Sequence, residues 1–323
     1  MEFFKYSRTF DFMSKSKVAM IFSIVLVLAS YAILAVKGLN YGVDFAGGTI
    51  VQVKYDKAAP INEMRAKLKN NKLFDGASIS EFGSPQEVVI RMKTTTGNVT
   101  TDIGDVTREA LQGTGNFEIR RVDIVGPKVG SELKEKGLVS LLLAIAGILV
   151  YVAFRFEWRF AVASIVALIH DVSIAMGAVA LFAIDVNLDV LAAILTLLGY
   201  SLNDTIIVFD RIREGVTKSK SADLAEIINE SITRTLARTT LTSLTTFFVV
   251  FTLFMFGGEI IHPFAFTLLV GIIVGTYSSI FVASPILLMF GFDVKKYHAK
   301  LAEKAKREAE KERMRAQFES GVM

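Results

Sequence analysis

Six apolar runs divide this chain: Val18 to Val36, Leu138 to Phe154, Phe160 to Ile184, Val190 to Phe209, Thr239 to Phe256 and Phe264 to Phe290. Each approaches or exceeds the roughly 20 residues that a helix needs to cross a bilayer core. Residues 1–17 precede the first run, 37–137 separate the first from the second, 210–238 join the fourth to the fifth, and 291–323 end the chain. The pattern predicts an α-helical integral membrane protein with six transmembrane helices and one sizeable soluble domain. The first run is too long for a signal-peptide core and has no small-residue cleavage pattern before Lys37, which predicts an uncleaved anchor.

The long insert changes rhythm. Thr49 to Tyr55 is β-rich, Ile61 to Asn70 is helical after Pro60, and Ala77 to Phe82 and Glu87 to Met92 are strand-like. Thr101 to Gln112 then has helical spacing, and Phe117 to Val125 closes with a strand. The order β-α-β-β-α-β is the ferredoxin-like arrangement of an α+β domain. Such a fold needs no cofactor and does not by itself give a function.

Composition agrees with the membrane reading: 52% of the 323 residues are hydrophobic and the mean hydropathy is +0.47. The net charge of +4 does not point to nucleic acid, because the basic residues cluster in short loops and a tail without an aromatic binding pattern. Arg155 and Arg159 flank one turn, and Arg211, Arg213, Lys218, Lys220, Arg234 and Arg238 fill another, whereas the turns Asp185 to Asp189 and Gly257 to Pro263 hold no Lys or Arg. The positive-inside rule then predicts both termini in the cytoplasm and the large first loop outside. Lys295 to Arg315 fits that orientation as a solvated helix near anionic lipid, with Glu303 spaced for Arg307. Leu224, Ile227, Ile228 and Ile232 share a helical face, which predicts an amphipathic helix over Ser221 to Leu236 lying on the membrane surface.

Carboxylates inside two apolar runs carry the candidate chemistry. A charge at the bilayer centre costs about 2.5–3.5 kcal/mol even on the lenient insertion scale, so such residues face a bundle interior and serve ion or proton traffic. On the fourth run, Thr196, Tyr200 and Asp204 recur every four residues, with Gly199 and Asn203 beside them, and this side is expected to face protein. Asp204 lies about 8 Å inside the end marked by Asp210 and Arg211. Arg238 opens the fifth run with Thr242 and Thr246 above it, and is the expected counter-charge for Asp204. His170 and Asp171 sit near mid-span on the third run, where Ala163, Ala167 and Ala175 line up with Asp171. A proton relay and simple helix packing both suit that pair. Gly271 and Gly275, followed by Ser278 and Ser279, read as a packing motif.

Several functions are excluded or disfavoured. No phosphate-binding glycine loop is present, so ATP is not the direct energy source. The three histidines, His170, His262 and His298, lack metal-ligand spacing, and no cysteine offers a thiolate. Gly199 to Asn203 lacks the last glycine of a nucleophile elbow. An intramembrane aspartyl dyad of Asp171 and Asp204 is the weakest reading.

The segment Gly199 to Glu214, GYSLNDTIIVFDRIRE, resembles the fourth-span motif of the SecF family of bacterial protein-export subunits. GVDFAGGT, with Gly42, Asp44, Gly47 and Gly48, resembles the lead-in to that family's outer domain, and VGPKVG, with Gly126 and Pro127, its exit. FRFEWRF at Phe154 to Phe160, the His170-Asp171 pair, RTTLTS at Arg238 to Ser243, and Gly199, Asp210 and Arg211 also match. Phe209 departs from the resemblance, which leads one to expect a smaller residue there.

The resemblance implies a non-enzymatic translocase subunit of the resistance-nodulation-division type in the bacterial inner membrane. It implies SecD as partner, contact with the SecYEG translocon, associated Sec membrane proteins and membrane lipids, and unfolded secreted polypeptides as cargo. It further implies coupling through Asp204 and Arg238 to the proton or sodium gradient, without a bound cofactor. The runner-up is half of a related small-molecule or lipid exporter. A passive membrane scaffold is the third reading.

Overall fold

The computed structural model describes residues 9–93, 102–218, 223–291 and 294–319. The expected residues 1–8, Thr101, Lys220, the start of the surface helix at Ser221 and the last residues of the tail lie outside them.

The insert folds as a four-stranded sheet: β1 (Gly48–Tyr55), β2 (Ser78–Glu81), β3 (Glu87–Lys93) and β4 (Phe117–Val125). Their order is β2-β3-β1-β4 with every pairing antiparallel, the ferredoxin-like topology. Strand alternation sets its core: Val51, Val53 and Tyr55 of β1 meet Val88, Ile90 and Met92 of β3. Helices α3 (Ile61–Leu68) and α4 (Ile103–Ala110) cover that face, with Met64 and Leu68 fully inside. Asp102 caps α4 by accepting from the Gly104 N–H at 2.8 Å. Tyr55 Oη meets Thr114 Oγ1 at 2.7 Å, so the buried phenol is satisfied.

Six helical stretches are long and apolar enough to span a membrane: Met13–Lys37, Pro127–Arg155, Trp158–Leu181, Leu188–Lys218, Leu224–Phe256 and Ile260–Met289. They contain α1 (Ser16–Lys37), α5 (Pro127–Arg155), α6 (Trp158–Leu181), α7 (Leu188–Lys218), α8 (Leu224–Phe256), α9 (Gly258–Ser278), a π-helical stretch (Ser279–Ala283) and α10 (Ser284–Met289). In α6, α7 and the last span 56%, 50% and 61% of the most apolar window is buried, against 11%, 11% and 17% in the others. Three helices therefore form the centre, and α1, α5 and α8 flank it.

Small residues let the centre close. A Cβ on Gly271 would come within 2.5 Å of the Leu197 side chain, and one on Gly275 within 3.2 Å of Ser201 Cβ, so the G-x-x-x-G face of α9 seats α7. Gly177 of α6 makes the same room for Ser30 of α1. The expected alanine ridge of α6 is inside: Ala163, Ala167 and Ala175 are all buried. Phe209, the departure noted above, fills a buried aromatic cluster with its ring centroid 5.1 Å from Phe160 and 6.4 Å from Phe156. FRFEWRF and the fourth span are thus parts of one packing unit.

The helices run further than the apolar runs. α5 begins at Pro127, directly after β4, with Gly126 at its N-cap. The amphipathic segment expected on the membrane surface is instead the first part of α8, continuous with the fifth span. Its apolar face packs on protein, because α7 also continues to Lys218 and presents Ile212 and Val216 to Ile227, Ile228 and Ile232. At 1.5 Å per residue α8 is about 50 Å long, well beyond a core of about 30 Å. The tail forms α11 (Val294–Glu319), in which Arg307 pairs with Glu303 at 2.7 Å.

Candidate functional site

Two polar clusters occupy the apolar centre. Asp171 of α6 is fully buried, and three polar groups converge on it: His170 Nδ1 lies 2.8 Å from Oδ1, and Ser201 Oγ of α7 and Ser278 Oγ of α9 donate to Oδ2 at 2.5 and 2.8 Å. One carboxylate thereby ties all three central helices. His170 is 5% exposed, its Nε2 has no hydrogen-bond partner, and its ring lies 6.3 Å from the Tyr277 ring at 25°.

The second cluster surrounds Asp204 of α7, which is 1% exposed. Ser243 Oγ of α8 donates to Asp204 Oδ2 at 3.1 Å, and Thr276 Oγ1 of α9 donates to Ser243 Oγ at 2.8 Å. Asp204 Oδ1 has no partner, and neither has the buried Tyr200 hydroxyl one turn earlier on α7. Among the described residues no hydrogen bond joins this cluster to Asp171, although Ser201 and Asp204 are three residues apart.

Several expected neighbours are elsewhere. Arg238 is exposed and pairs with no carboxylate among the described residues, so the expected contact with Asp204 is absent. The reason is helical phase: Arg238 precedes Ser243 by five residues, about 140° around the helix. The face of α8 turned inward carries Thr235, Thr239 and Ser243, all buried. Thr242 points its hydroxyl at carbonyls of its own helix, Arg238 O and Thr239 O. Gly199, Asn203 and Thr196 are exposed on this chain, so the polar side of α7 divides: Tyr200 and Asp204 turn inward and the others outward. Asp210 holds Arg213 at 3.0 Å and Arg155 at 3.4 Å, and Arg211 holds Glu214 at 2.6 Å, which makes the end of the fourth-span motif a charged collar.

The glycine-rich motifs form the junction between the sheet domain and the helices. Residues Val43–Ala46 make a short helix, α2, and Asp44 Oδ2 accepts from the Leu188 N–H at 3.0 Å at the start of α7. Gly42 N–H donates to Val186 O at 2.9 Å and Val186 N–H to Asn40 O at 2.7 Å. A Cβ on Gly130 of α5 would lie 3.0 Å from Gly47 N, so the lead-in and exit motifs press backbone to backbone. Gly47 takes a φ of 74°, which a side chain rarely adopts.

This arrangement has close counterparts. The description "Protein export membrane protein SecD/SecF, C-terminal" matches residues 106–293 and "SecD/SecF GG Motif" residues 32–59. "Protein translocase subunit SecF" of Helicobacter pylori strain J99 is 50% identical, the match covering 99% of each chain. This chain belongs to the SecF family. The counterpart in Vibrio alginolyticus is 47% identical over 89% of this chain and 91% of its own. A crystal structure of SecDF, "a translocon-associated membrane protein", from Thermus thermophilus superposes with a TM-score of 0.77 at 33% identity over 89% of this chain. SecDF in a "Super-membrane-facing form" gives 0.67 at 32% identity over 94%. The chain spans about two fifths of those SecDF chains, 39% and 41%. Six apolar helices and this family membership make it a multi-pass inner-membrane protein of the Sec pathway.

Ser201, Ser243 and Thr276 are the site residues to which sequence reasoning gave no role, and Ser278, read there as packing, instead donates to Asp171. Their signal was hydroxyls inside apolar runs on the faces that the helices share, and the spacing of Thr235, Thr239 and Ser243 at every fourth position carried it for α8.

Proposed function

We propose that this chain is the SecF half of an ion-driven export complex: with SecD it uses the proton or sodium gradient to assist movement of unfolded secreted polypeptides delivered through SecYEG. The observation that carries this reading is Asp204, a carboxylate buried among three helices with one oxygen held by Ser243 and the other open. An open oxygen on a buried acid is where a coupling ion binds, and a change of charge there alters how α7, α8 and α9 pack. One charge moving through 100 mV releases about 2.3 kcal/mol, enough to bias a two-state equilibrium well over tenfold.

Thr196, Gly199 and Asn203 support a partner half. Polar groups on a spanning helix are covered by protein in a working bundle, and the two SecDF chains are more than twice the length of this one. In such an assembly SecD covers this face, and Arg238, exposed on the neighbouring helix, approaches Asp204 in another conformer of the cycle. The orientation follows from the Lys and Arg bias: termini in the cytoplasm beside anionic lipids, sheet domain in the periplasm, where it handles the emerging chain.

The test is export into inverted vesicles carrying Asp204→Asn, with proton and sodium gradients collapsed separately. Assembly with SecD is expected to persist while gradient-dependent stimulation is lost, and only one of the two ionophore treatments should reproduce that loss in the wild type. Undiminished stimulation overturns the reading.

A further inference from the structure

A buried imidazole lies apart from Asp204 and has no part in the reading above. We infer that His170 is a second proton-binding site of this chain, its proton taken up at Nε2, with Asp171 as the fixed anion that orients it. Nε2 is the open position of a cluster whose other polar atoms are occupied: Asp171 Oδ1 receives His170 Nδ1, and Asp171 Oδ2 receives Ser201 and Ser278. The hydrogen on Nδ1 fixes the tautomer, since a carboxylate accepts and does not donate, and this leaves the Nε2 lone pair free.

The chemistry of the cluster selects a proton over a metal ion. Ser201 Oγ has Asp171 as its acceptor, and the Ser278 hydroxyl lies nearer to Asp171 at 2.8 Å than to Gly275 O at 3.1 Å, so the Asp171 oxygens face donors where a sodium ion needs several open oxygens. A bare imidazole nitrogen is the acceptor that remains. Proton uptake changes the pair from a net charge of −1 to neutrality and places a cation beside the Tyr277 ring, which stacks on His170. Tyr277 Oη in turn donates to Ala19 O of α1 at 2.8 Å and accepts from Ser23 Oγ at 3.2 Å. The proton is therefore read by the first span through one aromatic ring. It is read at the sixth by Ser278, one residue before the π-helical stretch, where the helix is already wound irregularly.

The titratable groups facing His170 are Asp171 on its own helix and Tyr277 on α9. On the other elements packed against α6, α1 carries Tyr31, whose hydroxyl meets Ser173 Oγ at 3.0 Å, and no charged residue between Lys17 and Lys37; α5 carries Tyr151 and no charged residue between Lys136 and Arg155; and α7 carries Tyr200 and, between Asp189 and Asp210, Asp204 as its one charged residue.

With only three histidines, the test is direct. The full chain with His262→Gln and His298→Gln, labelled with 15N-histidine and then assembled with unlabelled SecD in lipid vesicles, gives one imidazole spectrum. Nδ1 is expected to carry hydrogen throughout, while Nε2 shifts from the bare-nitrogen to the N–H position as pH is lowered. Asp171→Asn should move that transition, and Asp204→Asn should leave it in place, which separates this proposal from the one on Asp204. In export assays His170→Gln, which keeps a polar group of similar reach, should flatten the pH profile of gradient-dependent stimulation without lowering assembly. An Nε2 that stays bare at every pH where the protein is folded, or a hydrogen on Nε2 with Nδ1 bare at neutral pH, overturns the inference. So does a His170→Gln variant with the wild-type pH profile.

Discussion

Ser243 of α8 donates to Asp204 of α7 at 3.1 Å, and that hydroxyl, not the guanidinium of Arg238, is what the buried acid meets in this conformer. The bond makes α8, a flanking helix with only 17% of its window buried, answer to the state of a residue on a central helix. A hydroxyl is a suitable partner for an acid that changes protonation, because it can donate to the carboxylate or accept from the carboxyl. A permanent cation there would hold one state only.

Ser243→Ala should therefore cost stability and coupling together. Removing the donor leaves both Asp204 oxygens without a partner, a loss of about 1–3 kcal/mol read as a lower unfolding midpoint of the full chain in detergent. Arg238→Ala, at an exposed position, should leave that midpoint within about 0.5 kcal/mol. Both variants should reduce gradient-dependent export. Equal destabilisation by the two would mean that Arg238 is buried against Asp204 in the resting protein.

The difference between these two residues marks where the sequence stopped being readable. Strand alternation and helical spacing gave the sheet domain its order, because Val51, Val53 and Tyr55 can be buried on one face in one way only. The buried acids were legible from the cost of placing charge in hydrocarbon. What a single helix cannot disclose is its rotation against a neighbour, and 140° separates a correct partner from a wrong one on α8. The continuity of α8 was hidden for a related reason. Arg234 to Thr240 reads as a polar boundary, yet Thr235 and Thr239 return their hydroxyls to carbonyls one turn back, and the helix continues through.

Two glycines distinguish an internal contact from an external one. Gly271→Ala puts a methyl within 2.5 Å of Leu197 and should destabilise the isolated chain by about 1–3 kcal/mol. Gly199 has open space around its Cβ position, so even Gly199→Leu should leave the isolated chain unchanged. The same substitution should weaken co-purification with SecD, since it thickens the polar face assigned to that partner. Unaltered co-purification would place SecD on another side of the bundle.

The junction glycines should separate local folding from domain seating. Gly48 has a φ of 157° and its added Cβ would stand 2.4 Å from Met92 O, so Gly48→Ala should disrupt the β1–β3 pairing itself. Gly130→Ala meets Phe45 O and Gly47 N at 3.0 Å and should leave the sheet folded but loosen its seat on α5. Amide hydrogen exchange distinguishes them: faster exchange within β1 and β3 for the first, and faster exchange confined to residues 42–48 and 126–131 for the second.

The N-terminal segment offers a pH test outside the membrane. Asn229 of α8 accepts from the Phe12 and Met13 N–H groups at 2.9 and 3.0 Å, and donates to Asp11 Oδ1 at 2.9 Å. The Ser14 backbone N–H, then the Asn229 amide, hold the Asp11 carboxyl below its ordinary value of 3.8. A group whose folded value is lowered adds stability above its unfolded value and loses it as pH falls through the folded one. Docking of this segment should thus be complete at neutral pH and weaken below about pH 4. Protection of the Phe12 and Met13 amides, corrected for intrinsic exchange, should fall across that window. Asp11→Asn should make it flat, because the amide no longer titrates, and Asn229→Ala should remove protection at every pH. Persistent acid sensitivity in Asp11→Asn would assign the transition to a different carboxylate.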